Sequence, residues 1–419
     1  VGGDGSNLTG KLNFSTKNKG KCRIDRETIN MLKAYKFLIK PKKEQIEMFE
    51  KHFGCIRFVY NWGLNEKTKT YQETGETVSS HKLITTLPIL KEENPWLKEI
   101  NSQCIQMALR SLDNAYTRFF REKKGFPKFK SKYNPKQSFQ CPQSCSVDFD
   151  KGTLNLPKIK NIKTVFHRRF KGIIKTVTIS RVPSGKYYVS ILVEDGKKLP
   201  TKAKLERLNA VGIDMGLKDF VVTSDGDKIE NPKYLRKSEK RLAIRQRKLS
   251  RKKKGSNNRN KQRKKVAKLH EKIANQRKDF LHKVSHQIVH KNHGTICVED
   301  LCVKGMVKNK KLAKSISDVG WGMFYGFLKY KSEWYGKNFL DIGRFEPSSK
   351  MCSSCGNIKS NLKLSDREWT CVKCETKHDR DINASINIKN MAFTNQNIIR
   401  CIGLEQPEST QVDTVAIAT

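Results

Sequence analysis

Four cysteines, Cys352, Cys355, Cys371 and Cys374, form two C-x-x-C pairs separated by residues 356–370. No other feature limits the fold so tightly, because each C-x-x-C turn spans one edge of a tetrahedron and two such turns close a four-thiolate Zn²⁺ site. A site closed by four protein ligands has no open position, so the expected ion is structural and not catalytic. Gly356 follows the first pair, where a backbone able to take positive φ eases the turn. The chain has 12 cysteines in 419 residues and no secretory signal, which favours metal binding over a disulfide framework. The other eight, among them Cys55, Cys104, Cys297 and Cys302, read as buried or idle thiols.

Charge sets the second limit. The chain carries 85 Lys plus Arg against 41 Asp plus Glu, a formal net charge of +44, so a polyanion is the expected partner. The excess peaks between Lys233 and Lys291, where Leu242, Leu249, Leu269, Ile273 and Phe280 are spaced for two long helices broken at 254-KGSNN. The runs 245-RQRKLSRKKK and 259-RNKQRKK contain no acid, unlike the mixed charges of an ordinary solvated helix. Arg245, Arg247, Lys248, Arg251 and Lys252 are therefore candidates for phosphate contact. No apolar stretch approaches the ~18 residues of a membrane span, so a soluble, cytoplasmic protein is expected, nucleoid-associated when bound to DNA, with no membrane partner.

Along the chain, residues 1–30 show no period and read as a disordered leader or as sequence upstream of a start at Met31. LKAYKFLIKP then alternates as a strand, and 43–124 holds amphipathic helices. Strands return to about residue 205, with 174-IKTVTIS and 187-YYVSILVE as a hairpin about Pro183–Gly185. A small β-barrel interrupted by a helical insertion is the simplest arrangement over 31–205. From Asn209, strands AVGID, TICVE and NFLDI alternate with helices, one of them expected to start near Ser317 and Asp318, which points to an α/β layer.

Three acids stand at ends of apolar strands or at a turn: Asp214 in VGIDMG, Glu299 in TICVED and Asp381 in HDRDIN. A carboxylate in such a run is costly to bury unless paired or bound to a cation. If the fold brings the three together, they can hold two Mg²⁺ ions for phosphodiester hydrolysis. Asp381 is preferred over Asp379 because it begins the helical pattern DINASINIKN.

GIDMGLKDFVV, ICVEDLCVKGM, LAKSISDVGWG, RFEPSSKMCSSCG, REWTC and KHDRDINASINI, with FVYNWGL, GFPKFKSK and ENPKYL, closely resemble the TnpB family, transposon-encoded relatives of type V CRISPR effectors. The resemblance runs from Met31 to about Asn390. It implies a multidomain α/β plus β-barrel chain. The parts are an N-terminal wedge β-barrel (31–205) with a helical recognition insertion (43–124), and an RNase H-like RuvC nuclease domain (206–350 and 376–392). A zinc ribbon is inserted at 351–375, and 393–419 form a flexible tail. It further implies that Asp214, Glu299 and Asp381 are the active site. The expected activity is guided DNA cleavage beside a short flanking motif, with a guide RNA from the transposon end and double-stranded target DNA as partners and a monomeric protein. Relatives read that motif through the barrel and its insertion, where Ser102, Gln103 and above all Gln106 are candidates, since Gln can bond adenine bidentately. Two alternatives are a nuclease-inactive RNA-guided repressor and a DNA-joining transposase. Repressors of this kind lose one or more of the three acids, which are all retained here, and no recombinase Tyr or Ser motif is recognisable.

Overall fold

The computed structural model describes residues 30–344, 346–363 and 365–394. The expected leader, apart from Asn30, and the tail beyond Thr394 lie outside the described residues. Asn30–Lys40 (β1) alternates as its sequence requires, with Phe37 and Ile39 inward and Lys36 and Lys40 outward. It lies in a seven-stranded antiparallel sheet with Gln137–Cys141 (β2), Ser146–Asp148 (β3), Thr153–Leu156 (β4), Ile159–Val165 (β5), Ile173–Arg181 (β6) and Tyr187–Lys198 (β7). The order is β2-β6-β7-β1-β5-β4-β3. Register shifts in β1, β4 and β6 mark bulges, which bend a sheet and strengthen its twist. The β6–β7 hairpin turns where expected, closed by Val182 N–H to the Lys186 carbonyl at 3.0 Å.

Helices Lys43–Thr74 (α1), Ser80–Thr85 (α2), Leu87–Glu93 (α3) and Ser102–Glu122 (α4) fill the insertion between β1 and β2. The apolar face of α1, with Phe49, Phe53, Ile56, Val59 and Leu64, shares one core with Ile105, Leu109 and Leu112 of α4 and with the sheet. At Gly63 the two helices approach so closely that a Cβ would lie 2.6 Å from Leu109 Cδ2.

The second body is a five-stranded sheet of Ala210–Asp214 (β8), Asp219–Thr223 (β9), Lys228–Glu230 (β10), Thr295–Glu299 (β11) and Asn338–Ile342 (β12), ordered β10-β9-β8-β11-β12. Strands β8, β9 and β10 are antiparallel neighbours, whereas β8, β11 and β12 run parallel and need helical crossovers. The first crossover is the basic pair Tyr234–Ser250 (α5) and Asn257–His290 (α6), broken where the Gly-Ser-Asn stretch predicts. The second comprises Val303–Met306 (α7), Ala313–Val319 (α8) and Trp321–Trp334 (α9). The helix expected to begin near Ser317 is thus already ending there. Asp318 is no cap: it accepts from Leu235 N–H and pairs with Arg277 at 2.6 Å, while Gly320 at φ 78° separates α8 from α9.

Both faces of this sheet are covered, which is why β8 and β11 read as unbroken apolar runs. Val211, Ile213, Ile296 and Val298 pack against Leu281, Val284 and Ile288 of α6 and Trp321, Phe324 and Leu328 of α9. The alternate residues Ala210, Cys297, Leu340 and Ile342 meet Ile388, Met391 and Ala392 of the last helix, Arg380–Ala392 (α10). A hairpin of Glu368–Thr370 (β13) and Lys377–Asp379 (β14) joins the cysteine region to α10 and continues past the expected boundary at 375.

Candidate functional site

Strand parity brings the acids together. Ala210, Gly212 and Asp214 point to one face of β8, and Thr295, Cys297 and Glu299 to the same face of β11, the face that α10 covers. Gly212 sets the depth of that packing: a Cβ there would stand 1.9 Å from the Ser385 carbonyl oxygen and 2.8 Å from Lys389 N. With α10 pressed onto β8, Asp381 in its first turn comes near enough to Asp214 for their charges to interact, as Glu299 does from β11. Burial, followed by the charges of Asp381 and Glu299, raises the Asp214 carboxyl to about 7. Burial, then Asp300, raises Glu299 to about 7. Such crowding of negative charge is what a bound cation would relieve.

The neighbouring acid has a different task. Asp379 is the N-cap of α10, accepting from Asp381 N–H at 3.1 Å and Ile382 N–H at 3.0 Å, and it pairs with Lys228 of β10 at 2.5 Å. Burial opposes its ionisation, but Lys228 and these amides hold its carboxyl below the usual range. Arg367, which sequence reasoning missed, faces Asp381 at 3.2 Å. Its sequence signal is no more than its place in REWTC. Arg367 also lines a cavity of about 500 Å³ with Lys218, Lys233, Arg236 and Lys314 and the two acids Glu239 and Asp318.

The four cysteines converge as predicted. Among the described residues they are the group of metal-ligand side chains whose donor atoms all lie within 4.8 Å of one another; the three carboxylates are set more openly. Sγ separations of 3.6 Å for Cys352–Cys374 and 3.5 Å for Cys355–Cys371 approach the edge of about 3.8 Å of a tetrahedron with 2.3 Å arms, so the cluster can hold a metal ion. Gly356 takes φ 75°, as the turn demands. Hydrogen bonds from Thr376 bring the Cys374 thiol down to about 6, whereas Cys355, despite its bond from the Asn357 backbone, is pushed up to about 12 by burial and the neighbouring thiols. Asn383 of α10 bonds both the Met351 carbonyl (2.7 Å) and Ser353 N–H (2.9 Å), which flank Cys352, so the cluster is fastened to the helix that carries Asp381. Of the other cysteines, Cys55, Cys104, Cys141 and Cys297 are buried, whereas Cys302 is exposed.

On the basic hairpin, Leu242 packs with Val266, Leu269 and Ile273, leaving Arg247, Lys248 and Arg251 exposed and Lys252 half-buried. Arg245 is turned inward in part, donating to the Lys265 carbonyl at 2.9 Å. In the insertion Gln106 is half-buried on α4, Ser102 is exposed, and Gln103 is bonded to Gln143 at 2.7 Å.

Comparisons with known proteins agree along the chain. Residues 190–310 match a family described as a probable transposase (OrfB_IS605), and 321–388 match the TNB domain of Cas12f1-like proteins. Residues 31–76 match a domain described as helix-turn-helix, although here they form β1 and the single 32-residue helix α1. The chain is 40% identical to a "Putative RNA-guided DNA endonuclease" of Streptomyces pristinaespiralis, over 85% of this chain and 88% of the relative. It is 33% identical to the "Putative RNA-guided DNA endonuclease InsQ" of Escherichia coli K12, over 85% and 91%. It is 24% identical to the "TnpB-like protein L79" of Acanthamoeba polyphaga mimivirus, over 86% and 73%. A solved Cas12f1–sgRNA–target DNA complex shares the fold at TM-score 0.54 and 15% identity, covering 83% of each chain. Conserved order, shared fold and 40% identity over most of both chains place this protein in the TnpB family.

Proposed function

We propose that this protein is a transposon-encoded, RNA-guided DNA endonuclease with a RuvC-type active site formed by Asp214, Glu299 and Asp381. The observation that supports this reading is the close packing of α10 on Gly212, with Asp214 feeling the charges of both Asp381 and Glu299 and with Arg367 paired to Asp381. An all-oxygen acidic set suits Mg²⁺, and a set of four thiolates suits Zn²⁺. Bound Mg²⁺ would supply an activated water and charge stabilisation for the leaving oxygen of a phosphodiester. The protein's own residues do the rest. Asp214, Glu299 and Asp381 hold the cations, and Asp379 caps the helix that carries one of them. Lys218, Arg236 and Arg367 attract the phosphates of the strand to be cut. The Cys352, Cys355, Cys371 and Cys374 cluster holds a structural Zn²⁺ that fixes the ribbon against α10. The seven-stranded sheet and its helical insertion serve as wedge barrel and recognition lobe, with Gln106 among the residues facing the flanking motif. Base pairing with a guide RNA selects the target.

The test is reconstitution. Protein purified with its RNA, sequenced and rebuilt from stripped protein plus that RNA, should cut a matching duplex in Mg²⁺, and stripped protein alone should not. Equal cutting by RNA-free protein would overturn guidance.

A further inference from the structure

One imidazole near the thiolate cluster has no part in the chemistry described above. His378 is the central residue of β14, directly opposite Trp369 of β13 in the antiparallel register, and its ring leans on the indole with centroids 4.8 Å apart. Both side chains are buried, at 8% and 6% exposure, and the His378 Nε2 atom lies 3.0 Å from Cys352 Sγ. Cys352 is itself only 1% exposed. The ring nitrogens are not among the donor atoms that gather within 4.8 Å of one another, a group that comprises the four sulfurs. The imidazole therefore sits outside the ligand set, at hydrogen-bond distance from one of its members.

The geometry points to His378 as a positioning residue that donates Nε2–H to the Cys352 thiolate of the loaded cluster and ties the ion to the strand leading into α10. This rests on the reading of the cluster as a Zn²⁺ site. Four thiolates around one divalent ion leave an excess of two negative charges in a mostly buried volume, and an N–H donor on a sulfur offsets part of it. Only Nε2 reaches the sulfur, so the donating tautomer is fixed by position. Trp369 holds the ring plane, and the β13–β14 ladder holds the backbone at Trp369 and Thr370 against His378 and Lys377. One residue further on, Asp379 caps α10, and Asp381 follows in its first turn. A shift of the metal cluster is thus transmitted to the candidate active site over four residues of chain, in addition to the Asn383 clamp.

The experiment uses full-length protein with three side chains at 378. His378→Phe keeps the ring volume against Trp369 and removes the donor. His378→Gln keeps an N–H donor of similar reach. Zinc content is measured first by elemental analysis, then Zn²⁺ loss to a chromophoric chelator, and finally the absorption of Co²⁺-substituted protein. Removing such an outer hydrogen bond typically weakens metal affinity by about 10- to 100-fold. The expected result is that His378→Phe loses Zn²⁺ at least about tenfold faster than the parent, with His378→Gln between the two. The sulfur-to-Co²⁺ charge-transfer band should move to lower energy in His378→Phe and return toward the parent in His378→Gln, while the ligand-field bands keep the pattern of four sulfurs. Equal loss rates and an unmoved charge-transfer band in His378→Phe would overturn the assignment. Ligand-field bands altered by loss of a nitrogen donor would overturn it too, by making His378 a ligand. Absence of zinc from the parent protein would instead remove the cluster reading on which the proposal rests.

Discussion

Asp214 and Glu299 have carboxyls held near 7, against ordinary values of 3.8 and 4.5, by burial and by the acids beside them. The folded chain therefore binds more protons than the unfolded chain between about pH 4 and about pH 7. That contribution to stability is complete below the unfolded values and is lost as pH rises through 7. A cation at the site favours the ionised form and reverses the loss. Mg²⁺ should accordingly raise the melting temperature more at about pH 8 than at about pH 5.5, read by scanning fluorimetry. A gain independent of pH would mean that the acids do not bind it. Asp379 illustrates a role that sequence alone left open. In HDRD two acids stand two residues apart, and which is cap and which faces the sheet depends on the residue at which α10 begins. Loss of the cap in Asp379→Ala should cost about 1 kcal/mol in denaturant unfolding. It should leave measurable cleavage, because no interaction with Asp214 or Glu299 is removed.

The strand-and-helix alternation was legible because β8 and β11 are apolar on both faces and the basic helices keep an apolar stripe at Leu242, Leu269 and Ile273. The break at Gly320 was not, since Asp318 looks like a helix start and is in fact engaged by Arg277 and Leu235 from other elements. Nor could a strand glycine announce itself as the seat of α10. Gly212→Val places side-chain atoms where the Ser385 carbonyl now lies, and backbone cannot yield as a flexible side chain can. It should lower stability by roughly 1–3 kcal/mol or more, with cleavage lost beyond what the stability change explains. Parent-like activity would show that this approach does not position Asp381. The cysteine spacing was the clearest element-scale signal, because four ligands at fixed offsets leave few alternatives. Cys374→Ser should reduce zinc below the expected ratio of about one per chain and loosen the ribbon, seen as faster proteolysis between β13 and α10.

At the scale of the whole molecule, the chain carries a net charge of +44, and on the α5–α6 hairpin Arg247, Lys248 and Arg251 are exposed. Affinity for a non-cognate duplex should fall by about 0.9 log unit per log unit of salt for each phosphate neutralised. Removing Arg247, Lys248 and Arg251 together should flatten that slope. Among the described residues no helix is long and apolar enough to cross a membrane. That three carboxylates from β8, β11 and α10 form one cutting centre is put to the test by guided cleavage of a matching duplex in Mg²⁺ with parallel measurement of target binding. Asp214→Ala, Glu299→Ala and Asp381→Ala complexes should each bind the target as the parent does and cut at no detectable rate, with Asp379→Ala still cutting. Near-parent cutting by Asp381→Ala, with cutting abolished in Asp379→Ala, would contradict it.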